Sequence, residues 1–141
     1  MQIKPNFGSK LTSKLAIETP VLDAARFQAL LDLDDTVGFF SELRATFVDD
    51  VGKNLADLRT SLQQNNFAET ARLAHKIKGL SSNLGFERLA QGCIALEGAL
   101  NKIVDGTQSP EAADFKPLAQ QLAAHFADAI TALDRFSNAS K

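Results

Sequence analysis

The spacing of apolar residues constrains this chain more than any other feature. Phe40, Leu43, Phe47, Val51, Leu55, Leu58 and Leu62 recur at steps of three and four, which places them along one face of a helix. The same spacing returns through Phe67, Thr70, Leu73, Ile77, Leu80 and Leu84, then through Phe86, Leu89, Cys93, Leu96, Leu100 and Ile103. A last run passes through Phe115, Leu118, Leu122, Phe126, Ala129, Leu133 and Phe136. Strand-like alternation is almost absent. Ahead of these runs, Asp23 is a plausible N-cap for a short amphipathic helix with Leu22, Phe27, Leu30 and Leu31, ending before Asp34 and Asp35. Two turns of helix are not stable alone, so this piece is expected across one end of a larger body. The expectation is an all-α fold, an antiparallel up-down-up-down four-helix bundle with a short extra N-terminal helix.

The long helices are expected at about 36–64, 67–83 and 86–104, and from near Glu111 almost to the chain end. Gly38 and Gly52 weaken the first of them. Asn65 and Asn66 supply a turn and a cap, Gly85 ends the His-bearing helix as a left-handed residue, and 105–110, D-G-T-Q-S-P, is a loop. Residues 1–20, with Pro5, Gly8 and Pro20, read as a tail or loosely docked arm, and 21–138 as the bundle domain. Trp and Tyr are absent, so the ten phenylalanines carry the aromatic packing.

With 141 residues, 45% hydrophobic and 23% charged, the chain has the composition of one globular domain that needs no metal or disulfide to fold. A formal net charge of −2 argues against a general nucleic-acid binder, which would show a basic excess. Cys93 is the only cysteine, so no intramolecular disulfide forms and the reducing cytoplasm is the natural setting. No apolar run approaches the roughly 18 residues of a membrane span, and the N-terminus lacks a compact apolar signal core. There is no G-x-x-x-x-G-K-[ST] loop, no G-x-G-x-x-G after a strand and no helical Glu-x-x-His pair. ATP is therefore not the expected direct donor in any phosphoryl chemistry.

Residues 71–85, A-R-L-A-H-K-I-K-G-L-S-S-N-L-G, concentrate the chemistry. At about 100° per residue, Leu73, Ile77, Leu80 and Leu84 form one stripe, and His75 lies about 200° from Leu73, facing away from the core. Ala71, Arg72, Lys78, Gly79 and Ser82 share its face. An unperturbed imidazole titrates near about pH 6.5 and is a competent nucleophile at neutral pH, and two nearby cations disfavour its charged form. Lys78, one turn on, is placed to offset charge on a transferring phosphoryl group. Arg72 either helps from the other side or is a solvated surface arginine. A mid-helix glycine costs about 0.8–1.0 kcal/mol relative to alanine, so Gly79 beside an exposed histidine suggests clearance for a partner's loop. Ser82 and Asn83 are candidates to hydrogen-bond either a partner or the helix terminus.

His75, Lys78, Gly79, Ser81 and Gly85, followed by Leu89, Cys93, Leu96 and Glu97, resemble the signature of histidine-containing phosphotransfer (HPt) domains of two-component phosphorelays. The resemblance spans roughly 21–136. Leu80 departs from it, standing where family members usually carry a small residue, and is expected in the buried stripe. The resemblance implies that His75 accepts a phosphoryl group from the phospho-aspartate of a receiver domain and passes it to a second receiver. It implies a hybrid sensor histidine kinase upstream, Mg²⁺ supplied by the receiver, no cofactor or metal on this chain, and a monomer. Docking is expected on the His75 face plus exposed residues of the first long helix.

The remaining candidates have plainer readings. His125 is expected to be a packed structural histidine and Cys93 a small buried hydrophobe. Glu97, one position off the apolar stripe, is expected to accept a hydrogen bond across the bundle, with little support for a base role. The charges of 42–59, among them Arg44, Asp49, Asp50, Lys53, Asp57 and Arg59, read as a solvated face. A non-catalytic helical adaptor of the same fold is the competing function; it has no need of His75, Lys78 and Gly79 together. A dimerising kinase domain is a third, and would be a two-helix hairpin pairing with a second copy. The initial Met and self-contained helices point to a free-standing protein.

Overall fold

The computed structural model describes residues 20–33, 38–111 and 115–139, with side chains to 136. Five helices follow one another: α1 (Ala24–Asp32), α2 (Phe39–Gln63), α3 (Phe67–Leu84), α4 (Glu87–Val104) and α5 (Lys116–Ala139). The four long ones form an antiparallel ring in which α2 and α4 each pack against both α3 and α5, and α1 packs against α3. No strand occurs among the described residues, as the apolar spacing predicts. No helix among them is long and apolar enough to cross a membrane.

Each long helix except α3 buries the face its spacing marks. Val51, Leu58, Ile77, Leu96, Leu100 and Leu122 are essentially inaccessible, and Cys93 sits among them. At the end holding the α3–α4 turn, Phe27 of α1 is fully buried, with ring contacts to Phe40 at 5.8 Å, Phe136 at 5.0 Å and Phe86 at 6.3 Å. The short helix thus closes one end of the bundle with an aromatic plug, and the edge-to-face arrangements suit the ring quadrupoles. At the opposite end Phe67 meets Phe115 at 5.3 Å, and the buried Ser61 and Thr70 hydroxyls share a hydrogen bond of 2.6 Å.

Local chemistry fixes the boundaries. The Asp23 side chain accepts from the Arg26 N–H and the Asn66 side chain from the Glu69 N–H, satisfying first-turn donors. Gly85 ends α3 at φ +90°; its carbonyl accepts from the Asp23 N–H at 2.7 Å, and a Cβ there would stand 3.1 Å from the Asp23 carbonyl oxygen. One glycine therefore serves both the helix end and the close approach of the segment leading into α1.

Three expectations need correction. The first long helix was expected from near Thr36, which lies outside the described residues, but Gly38 adopts φ +92° and α2 begins at Phe39, because a left-handed residue cannot propagate a right-handed helix. The last was expected from near Glu111; 110–111 are turn and α5 begins at Lys116. Pro117 explains this, since a helix from 111 would hold the proline in its interior, where its ring collides with the carbonyl four residues earlier. The buried stripe of α3 is also rotated: Ser81 and Ala71 are buried, while Leu80 and Leu84 are only partly so. The readings of residues 1–19 as a tail or arm lie outside the described residues.

Candidate functional site

Helices α3 and α4 are joined through Gly85 and Phe86 alone, so their register is set by the turn. His75 comes opposite Glu97. His75 projects from the middle of α3 with 63% of its side chain exposed. Its Nδ1 lies 3.1 Å from Glu97 Oε2 and 3.3 Å from Oε1. The Glu97 side chain is only 25% exposed, because it stands one residue from the buried Leu96 on the flank of α4 that borders α3. An ionised carboxylate only accepts hydrogen bonds. In the neutral ring, donation to that carboxylate puts the proton on Nδ1 and leaves the lone pair on Nε2, at the outer edge of the ring.

Beside this pair runs an open groove of about 410 Å³, lined by His75 and Glu97 with Ala68, Ala71, Asn101 and Val104. Arg72 also borders it, but its guanidinium is held by Glu69, through Nε to Oε1 at 2.8 Å and Nη2 to Oε2 at 2.7 Å. The hydrogen bond to Arg72 holds the Glu69 carboxyl below its ordinary range, and that to Glu69 raises the arginine. The surroundings of His75 are therefore not the two free cations that the helical face alone suggests: one is already paired, and a carboxylate touches the ring. Lys78 is half-buried one turn on and has no ion-pair partner among the described residues. A Cβ on Gly79 would meet nothing within 4 Å, so the surface past the imidazole is open. Ala71, expected on the exposed face, is buried at 6% because α4 covers it.

Ser82 is half-exposed, and its backbone carbonyl accepts from the Gly85 N–H at 3.2 Å; the backbone, not the hydroxyl, serves the helix terminus. Ser81 Oγ is buried without a hydrogen-bond partner among the described residues. Burial, and secondarily Glu97, pushes the Cys93 thiol up to about 12, so it stays protonated and is no nucleophile. His125 is half-buried against α4, its Cδ2 3.1 Å from where a Cβ on Gly92 would stand; burial, with Arg88 and against Asp128, lowers its pKa. Both readings as packing residues agree with these surroundings. Among the described residues, no group of three or more His, Cys, Asp and Glu side chains is arranged to hold a metal ion. The partner that sequence reasoning undervalued is Glu97, and the short α3–α4 connection is the signal that pairs it with His75.

Comparison with known proteins identifies the family and the fold. The family model described as the Hpt domain matches residues 42–136. Among solved structures, the histidine-containing phosphotransfer protein B of Pseudomonas aeruginosa is similar at 26% identity and TM-score 0.70, covering 84% of this chain and 95% of that one. A histidine-containing phosphotransfer protein from maize superposes with TM-score 0.66 at 20% identity, covering 99% of each chain. A rice protein described in the same terms gives 0.66 at 21%, covering 99% of this chain and 98% of its own. The two plant likenesses speak for the fold alone. A search of curated proteins returned no match.

Proposed function

The chain belongs to the Hpt domain family, histidine phosphotransfer proteins of two-component phosphorelays, and from that premise we propose that His75 is the residue that carries the phosphoryl group. The observation that supports this most is the 3.1 Å contact between His75 Nδ1 and Glu97 on a ring that is otherwise open to solvent. Nε2 attacks the phosphorus of a receiver's phospho-aspartate; the N–P bond forms as the aspartyl O–P bond breaks, and the carboxylate leaves on the receiver. The ring then carries positive charge, which Glu97 offsets through the Nδ1–H. Lys78 offsets charge spread over the three equatorial oxygens. The reverse step delivers the group to a second receiver.

In this reading Gly79 gives clearance for the receiver's loop, and Arg72 and Ser82 are secondary. The receiver brings Mg²⁺, and this chain holds no cofactor. The protein acts in the cytoplasm as a monomer between a hybrid sensor histidine kinase and a response regulator, without kinase activity of its own. Incubation with a phosphorylated receiver domain and Mg²⁺ tests it. The wild type gains an acid-labile, alkali-stable phosphate that is absent from His75→Gln, whose circular dichroism is unchanged. Equal labelling of His75→Gln would sink the assignment.

A further inference from the structure

Glu69, Arg72 and His75 stand at intervals of three on α3, so each is about 60° round and about 4.5 Å along the axis from the next. Arg72 is the middle member of the row. Its guanidinium is held by the Glu69 carboxylate through hydrogen bonds of 2.8 and 2.7 Å, and it borders the open groove beside the imidazole. Nothing in the transfer step uses Glu69.

The geometry of the helix gives this row a direction. Side chains on a helix lean towards its N-terminus, so the imidazole leans over the turn that carries Arg72. Glu97 holds Nδ1 from the α4 side. Arg72 also lines the groove between α2 and α3, with Asp57, Lys76 and others, and so stands on the side of the ring away from Glu97, where Nε2 is turned. A phosphoryl group on Nε2 comes within reach of the guanidinium, while Glu69 lies about 9 Å back along the axis from His75.

The two anions compete unequally for Arg72. Its pair with Glu69 has members 59% and 38% exposed, and exposed pairs of this kind are weak. A phosphorylated side chain carries about −1.5 to −2 charge at pH 7 on three acceptor oxygens, and arginine meets a phosphoryl group with the same two-bonded fork that it offers a carboxylate. Releasing Glu69 costs little, because it stands in the first turn of α3, where the helix dipole favours a carboxylate even without a partner.

Resting on the proposed function, we infer that Glu69 holds Arg72 while His75 is unphosphorylated and yields it to the phosphoryl group once His75 carries one. Arg72 then stabilises the charged product, and the strength of its pair with Glu69 is subtracted from that stabilisation. Together the two residues set how far the phosphoryl group rests on this chain and not on the receiver. Neither belongs to the attacking machinery.

The test begins with the full chain alone, labelled on His75 by phosphoramidate, a small donor that needs no partner. Phosphorus NMR then follows the second ionisation of the phosphoryl group with pH. Arg72→Gln is expected to raise its midpoint by about 0.3–0.7 of a pH unit, because a nearby cation favours the dianion. Glu69→Gln, which frees the arginine, is expected to lower it, and Arg72→Lys, which keeps the charge without the fork, to restore part of the wild-type value. With a receiver domain and Mg²⁺, the ratio of forward to reverse kcat/KM gives the partition of the phosphoryl group, a quantity that docking does not alter. Arg72→Gln is expected to move it about two- to fivefold towards the receiver, and Glu69→Gln to move it towards His75 by a similar factor. In the Arg72→Gln background, Glu69→Gln is expected to change neither quantity. An unchanged midpoint and partition in Arg72→Gln, or an equal effect of Glu69→Gln in both backgrounds, overturns the inference and leaves the carrier role standing. Equal phosphoramidate labelling of His75→Gln overturns the carrier role and the inference with it.

Discussion

Glu97 gives His75 a defined chemical state. A histidine alone on a helix has neither its tautomer nor its ring orientation fixed, and its neutral form can present a protonated nitrogen outward. A carboxylate at 3.1 Å from Nδ1 holds one tautomer and one ring orientation. A hydrogen bond to a charged group contributes about 1.5–3 kcal/mol, and partial exposure of this pair places it at or below the low end. Glu97→Ala is therefore expected to slow phosphoryl acceptance by about tenfold at most, and Glu97→Gln, which keeps an acceptor without the charge, by less; rapid-quench transfer from a phosphorylated receiver measures both. Equal losses in the two variants would assign the effect to the charge and not to ring orientation. This pairing was hard to read in the sequence because 22 positions separate the two residues, and neither helix's own periodicity reveals what the other presents. The exposure of His75, by contrast, follows from its position on the α3 wheel alone.

Among the elements, α3 carries a glycine where helix propensity would favour almost anything else. Because a Cβ at Gly79 meets nothing within 4 Å, the residue is not required by packing within the chain. Gly79→Gln is expected to hold or raise the stability of α3, by about 0.5–1 kcal/mol from propensity, while transfer from a receiver falls. A thermal melt beside a transfer assay separates the two effects, and a drop in both would place Gly79 in the core. The helices themselves were legible because their apolar spacing is regular. Their starts were less so: the conformation of Gly38 and the position of Pro117 override a periodic pattern that extends past both. The rotation of the α3 stripe towards Ser81 was not legible either, since it depends on how closely α4 approaches, which no single helix encodes.

For the whole molecule, α1 is a closure that the site does not touch. Phe27 is fully buried among Phe40, Phe86 and Phe136 at one end of the bundle, whereas His75 lies midway along α3. Truncating a buried phenylalanine costs about 3–5 kcal/mol. Phe27→Ala is expected to lower stability by about that amount in urea titration, while below the new midpoint the folded fraction still accepts phosphate on His75. Loss of labelling in protein that remains folded by circular dichroism would mean that the end plug shapes the site. An all-helical core without Trp or Tyr is legible from composition and spacing together; that Phe27, Phe40, Phe86 and Phe136 meet at one end and Phe67 and Phe115 at the other is not, because it depends on which helix ends meet.

The two-residue joint between α3 and α4 makes chain length itself part of the chemistry. One residue inserted at Gly85–Phe86 would advance every position of α4 by one relative to α3 and turn its faces by about 100°, carrying the carboxylate away from the ring with no side chain of the site altered. The longer connection between Val104 and Lys116 imposes no such condition on His75. A lineage descended from this protein can therefore lengthen or shorten that second loop freely, and must conserve the count of residues in the first.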